Sequence, residues 1–168
     1  IIIKNLKRTE KGKAMYQAFS VHNRKERFIM EKLPPLQVKV NRVKPLIYGD
    51  SYESRMILDH VITGRDNVIQ INHGTVKAHK ALGGAAHEED EIYYILDGKG
   101  KLKLDDEIVD IEGDQVIFIP AGVFHALDNS ESDTDMHILT FWRDYRYNDA
   151  YEDRMKQWGK SFKTIDED

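Results

Sequence analysis

Residues 113–129 read Gly113-Asp114-Gln115-Val116-Ile117-Phe118-Ile119-Pro120-Ala121-Gly122-Val123-Phe124-His125-Ala126-Leu127-Asp128-Asn129. Val116–Ile119 is a short run of β-branched and aromatic residues, which favours a strand. Pro120-Ala121-Gly122 ends it, because proline cannot continue a ladder and glycine suits a turn. His125 then opens a second strand. Alternate side chains of a strand share a face, so His125, Leu127 and Asn129 point the same way.

Upstream, the pattern repeats with different residues. Gly83-Gly84-Ala85-Ala86-His87-Glu88-Glu89-Asp90 leads into the strand Glu91–Leu96, which ends at Asp97-Gly98. Glu91 shares a face with Tyr93 and Ile95. Lys101–Leu104 alternates and stops at Asp105-Asp106, Ile108–Ile111 continues the meander to Gly113, and Met136–Trp142 forms the last strand. Earlier β-rich segments are Arg55–Asp59, Val68–Asn72 and Thr75–Ala81, with a turn over Thr63–Asn67. Val38, Val40 and Val43 lie in a further alternating stretch. Many short strands with little helix between them indicate a sandwich or barrel.

Helix is expected only at the ends. Asn23 and Glu26 have the spacing of a capping arrangement for a short helix that Pro34-Pro35 would stop. Asn148–Trp158 reads as a closing helix with Tyr151, Met155 and Trp158 on one face, a Glu152–Lys156 pair at i,i+4, and Gly159 at its C-terminal cap. The organisation is an arm over 1–35, a barrel over 36–145, and a helix with tail over 146–168.

The composition sets bounds. The chain has 168 residues, 40% hydrophobic and 32% charged, enough for one domain with its own core. A net charge of -4 with interspersed signs gives no nucleic-acid footprint. Cysteine is absent, which excludes disulfides, thiolate metal sites and cysteine nucleophiles, and fits a reducing compartment. The apolar runs are shorter than the roughly 18 residues that span a bilayer, and Ile1-Ile2-Ile3 is too short for a signal-peptide core. The expectation is a cytoplasmic protein with a small-molecule substrate, and neither a nucleic-acid nor a membrane partner.

If the faces carrying Glu91 and His125 turn inward, a carboxylate and imidazoles meet inside an apolar barrel. Such a carboxylate is costly unless paired or metal-bound. Two His and one carboxylate form a competent facial set for one divalent ion (Fe, Mn, Ni or Zn), with positions left open for substrate or water.

The two histidine-bearing segments resemble the two signature motifs of the cupin superfamily. The first family motif places two His, one residue apart, ahead of a Glu that lies before a Gly; His87, Glu91 and Gly98 match the second His, the Glu and the Gly. The second runs Gly, then Pro-x-Gly-x-x-His-x-x-x-Asn; Pro120, Gly122, His125 and Asn129 match in register. The resemblance covers roughly residues 67–142. It implies an all-β fold of the small RmlC-like kind: an antiparallel cupin barrel (double-stranded β-helix, or jelly roll) with short terminal helices. It also implies His87, Glu91 and His125 as metal ligands.

Two departures stand out. Ala85 occupies the place of the family's first His, which removes one of four ligands. Water, substrate, or one of two other histidines would fill the gap. His79 is the first candidate, read as sharing strand parity with His73, Thr75 and Lys77. His137 is the second, sharing parity with Leu139 and Phe141. The Gly113-to-Pro120 interval is also one residue longer than the family's, a place for a bulge. Tyr93 is either a core aromatic or pocket lining, while Glu88, Glu89 and Asp90 read as a solvated loop face. No catalytic residue is assigned.

The resemblance implies a metal-dependent isomerase or lyase acting on a small polar oxygenated substrate such as a sugar or keto acid. An iron-dependent dioxygenase and a non-catalytic small-ligand-binding barrel are the alternatives. A homodimer, paired through the Val38–Val43 stretch and the arm, is the expected assembly.

Overall fold

The computed structural model describes residues 36–65, 68–143 and 149–167. The expected arm, with its short helix, lies outside these residues. Ten strands and two short α-helices follow a 3-10 turn at Val40–Arg42. Six strands form one antiparallel sheet in the order β1 (Leu46–Tyr48), β2 (Tyr52–Leu58), β3 (Gln70–Val76), β10 (Met136–Trp142), β5 (Glu91–Asp97), β8 (Gln115–Ile119). Four form the other, in the order β4 (Ala81–Ala85), β9 (His125–Asp128), β6 (Lys99–Leu104), β7 (Glu107–Glu112). Neighbouring strands in space are mostly distant in sequence, the interleaving of a jelly roll.

Strict alternation places the core. Along β10, Met136, Ile138 and Trp142 are buried with Thr140, while His137, Leu139 and Phe141 face the other way. Along β5, Glu91, Tyr93 and Ile95 are the buried set. Ile95, Leu102, Ile119, Met136 and Ile138 meet Val76 and Leu127 between the sheets. Each fully buried aliphatic side chain there contributes about 2 kcal/mol relative to exposure.

Several segments differ from the sequence reading. The turn over Thr63–Asn67 is preceded by a helical turn, α1 (His60–Thr63), because the Asp59 carboxylate caps the Ile62 N–H. The segment read as a strand over Thr75–Ala81 is broken: β3 ends at Val76, and β4 starts at Ala81. The Val38–Val43 stretch forms the 3-10 turn, and buried Val43 bridges Thr164 of the same chain. The extra residue between Gly113 and Pro120 makes no bulge in β8. The β5–β8 register is continuous from Glu91↔Ile119 to Ile95↔Gln115, and Asp114 absorbs the residue in the turn with a φ of +66°.

The closing helix α2 spans Asp149–Trp158. Tyr151 joins Met56, Trp142 and Met155 in a second apolar cluster, and Gly159 caps the helix with its N–H on the Met155 carbonyl. The most buried residue of α2 is Arg154, at 0% exposure, on the face the sequence reading gave to Tyr151, Met155 and Trp158. Among the described residues no helix is long and apolar enough to cross a membrane.

Candidate metal centre

The two histidine-bearing segments are joined before any side chain is considered. The Gly122 N–H donates to the His87 carbonyl at 2.7 Å, and the Ala121 N–H to the Asp90 carboxylate at 3.0 Å. Asp90 is thus a structural cap between the loops. Strand β4 lies against β9 with Ala85 opposite His125, after a register shift between Leu82 and Ala85. Gly84 permits this approach: a Cβ there would lie 2.4 Å from the His125 carbonyl oxygen. Asn129 closes the far end of β9, its side-chain amide donating to the Val76, Lys77 and Thr134 carbonyls.

These constraints bring His87, Glu91 and His125 together, with one donor atom from each within 4.8 Å of the others. His87 Nε2 and His125 Nε2 both lie 3.2 Å from Glu91 Oε2. The imidazole rings meet edge to face, with centroids 4.9 Å apart. Each Nδ1 contacts a backbone carbonyl at 3.0 Å, Glu89 for His87 and Val123 for His125. A carbonyl only accepts, so Nδ1 carries the hydrogen in both rings. In the neutral tautomer, both Nε2 lone pairs therefore face one carboxylate oxygen. That arrangement is repulsive without a proton or a cation between the three groups, and it is the tautomer a metal requires. The donor set fits a divalent ion on this ground.

The electrostatics agree. The hydrogen bond to Glu91 is the largest influence on His87 and, with the charges of Glu91 and Glu89, raises its pKa despite partial burial. Burial pushes the Glu91 carboxyl up, but hydrogen bonds and charge from His125 and His87 outweigh it, and the net shift is downward.

The cluster opens onto a cavity of about 260 Å³. Ala85 and Leu82 line it beside the histidines, so a methyl group stands where a fourth ligand would project. Tyr93 lines it too, buried and edge-on to His125 with ring centroids 5.8 Å apart. Glu89, read from sequence as solvated, is a correction. Its side chain is only 10% exposed, lines the cavity, and places Oε2 3.5 Å from His87 Nδ1. Neither extra histidine joins the cluster. His79 occupies a turn beyond β3 with a φ of +59°, exposed, and pairs with Asp133 at 3.2 Å. His137 lies on the outward face of β10, with Nδ1 3.1 Å from the Thr75 hydroxyl and its ring 5.6 Å from that of His73.

The sequence reading missed the opposite wall of the cavity. There Tyr52, Ser54 and Asn72 project from β2 and β3. Arg154 of α2 donates through Nη2 to the Ser54 hydroxyl and, at 3.0 Å, to Asn72 Oδ1. These partners are 100 and 82 residues away in the chain, so no local spacing announces them.

Comparison with known proteins agrees with this architecture. Residues 67–142 match the family model described as the cupin domain. No curated protein matches significantly. A predicted oxalate decarboxylase from Thermotoga maritima superposes with a TM-score of 0.58 at 22% identity, over 64% of this chain and 98% of that one. The polyketide cyclase RemF from Streptomyces resistomycificus gives 0.59 at 21% identity, over 66% and 80%. An RmlC-like cupin from Shewanella frigidimarina gives 0.51 at 15% identity, over 63% and 87%. At these identities the likeness is one of fold.

Proposed function

We propose that the chain, whose residues 67–142 match the family model of the cupin domain, is a metal-dependent enzyme of isomerase or lyase type acting on a small polar oxygenated substrate. His87 and His125 would hold one divalent ion through Nε2 and Glu91 through its carboxylate. The observation that carries the reading is the pair of Nε2 atoms, each 3.2 Å from the same Glu91 oxygen and each with its Nδ1 held by a backbone carbonyl.

A bound ion would supply Lewis-acid polarisation of a substrate carbonyl or enediolate oxygen. The chain's own residues supply the rest. Leu82, Tyr93 and Trp142 give the cavity apolar walls that limit water. Tyr52, Ser54, Asn72 and Thr140 offer polar groups that orient an oxygenated ligand. The volume of about 260 Å³ suits a small molecule. Because Ala85 provides no ligand, the substrate would meet the ion on that side.

The test is metal content by mass spectrometry on the full chain purified without added metal, with circular dichroism to follow folding. The parent should carry about one divalent ion per chain. Glu91→Gln keeps the shape and removes the charge, so it should weaken binding about 100-fold with the barrel folded, and His87→Ala and His125→Ala should do likewise. His79→Ala and His137→Ala should leave metal content unchanged. Full occupancy in both Glu91→Gln and His125→Ala would move the site elsewhere and remove the enzyme reading with it.

A further inference from the structure

We propose that the outer face of the six-stranded sheet docks a second copy of this chain, face against face across a two-fold axis. The proposal stands apart from the metal centre, because Glu91 points to the opposite, inner side of β5.

The two sheets treat their outer faces differently. A sheet with one face in water alternates apolar inward and polar outward. The four-stranded sheet follows this rule. Leu102, Ile111 and Leu127 are buried, so its outer side carries Lys101 between Asp110 and Asp128, with Lys99 opposite Glu112. The six-stranded sheet departs from it. Register sets Phe118, Ile92, Phe141 and Ile71 side by side across β8, β5, β10 and β3. The next outward row is Val116, Tyr94 and Leu139. Neither row holds a carboxylate, an ammonium or a guanidinium. Val116 is 69% exposed, Phe118 57% and Ile92 40%, so this apolar face is open rather than covered by the chain's own elements. Strands apolar on both sides are those of sheets covered on both sides, and a contiguous apolar patch marks an interaction surface.

The face has the anatomy of an interface, an apolar centre with a polar rim. At the rim Arg55 pairs with Glu53 at 2.9 Å, and the Tyr94 hydroxyl donates to Asp114 at 3.1 Å. Charge and area make the occupant a second copy. The centre is uncharged, so laying the face on itself brings no like charges together there. Four strands about 4.8 Å apart, with residues about 3.3 Å apart along them, make a patch roughly 20 Å on a side. Two such patches stacked face on face bury about 1,000 Å² in all, the level a stable specific pair requires. One self-complementary patch suffices for a closed two-fold dimer. Joining the sheets edge to edge through β8 would leave Ile92 and Phe141 uncovered, so the faces meet and not the edges. The Val38–Val43 stretch is not free for this role, since Val43 is buried and bridges Thr164 of its own chain.

Sedimentation equilibrium on the full chain, from about 1 to about 100 μM, tests this. The parent should appear as a species of twice the 19.5 kDa of one chain. Ile92→Lys and Phe118→Lys each put a charge in the centre of the face, on different strands, and should weaken the dimer at least about 100-fold. Circular dichroism and metal content should stay at the parent level. Val116→Lys, at the most exposed of the three positions, should act likewise and keeps the test decisive if another variant fails to fold. Ile108→Lys, at a position 67% exposed on the outer side of the other sheet, should leave the mass unchanged. A monomeric parent would overturn the proposal and leave the face to residues 1–35 or to a different protein. A dimer that survives both Ile92→Lys and Phe118→Lys, or one that Ile108→Lys weakens equally, would overturn it too. Loss in Phe118→Lys with parent strength in Ile92→Lys would mean edge pairing and would overturn the face-to-face arrangement.

Discussion

The two walls of one cavity handle a buried charge in opposite ways. On one wall Glu91 is answered by two imidazoles, each 3.2 Å away. On the other Arg154 is held by a hydroxyl and an amide oxygen, with no carboxylate in ion-pair reach among the described residues. The first wall, with the Glu91 and Glu89 carboxylates against two imidazoles, can exchange protons for a cation. The second keeps its cation behind the cavity surface, where the Asp59 and Asp153 charges act on it, and holds Ser54 and Asn72 in place.

The comparison is broken most forcefully at Asn72. If the second wall is a connected relay, Asn72→Ala leaves Arg154 Nη2, the Ser54 hydroxyl and Tyr52 each short of a partner. Loss of hydrogen bonds to a buried charge should cost about 2–3 kcal/mol, read as a lower midpoint in urea at unchanged slope. Metal content should stay at the parent level. A cost under about 0.5 kcal/mol would mean that the relay does not hold the wall.

The first wall was legible in the sequence because its ligands are carried by short segments. His87 and Glu91 are four residues apart, and His125 follows a proline–glycine turn at fixed spacing; Gly98 and Gly122 both take the positive φ their positions demand. Period-two alternation likewise announced β5 and β10 and placed Tyr93 inward. The second wall depends on contacts across 82 and 100 residues, made by an arginine whose partners no local spacing announces. Glu89 was misjudged for a related reason. A run of three acidic residues reads as solvated, whereas the fold of the loop turns one inward and caps a backbone N–H with another. His79 lost its strand because β3 stops at Val76.

A smaller effect sharpens the contrast through pH. In the metal-free chain, His87 has a pKa above its ordinary 6.5, so its contribution is complete below that pH and fades as pH rises through the folded value. Glu91 has a pKa below its ordinary 4.5, so its contribution is complete above that pH and fades as pH falls through the folded value. Stability should therefore be highest between the two and decline above pH 6.5. With metal bound the slope reverses there, because protons and metal compete for the same Nε2 atoms. Thermal unfolding of both forms from about pH 5 to about pH 8 reads the two slopes; parallel slopes would contradict a shared site.

The smallest effect is a control away from both walls. Glu152 and Lys156 form an exposed i,i+4 pair at 3.4 Å on the outer face of α2. Glu152→Ala should change stability by less than about 0.5 kcal/mol and leave metal content alone. A larger shift would mean that α2 is held by its outer face, and that effects at Arg154 cannot be assigned to the cavity.

The central claim, that His87, Glu91 and His125 hold one divalent ion, is tested most directly by anomalous diffraction from crystals grown with manganese. The account predicts a single strong peak about 2.0–2.2 Å from His87 Nε2, His125 Nε2 and a Glu91 carboxylate oxygen. It also predicts that the peak is absent from Glu91→Gln crystals grown the same way. A peak elsewhere on the chain, or one that survives that substitution, would contradict it.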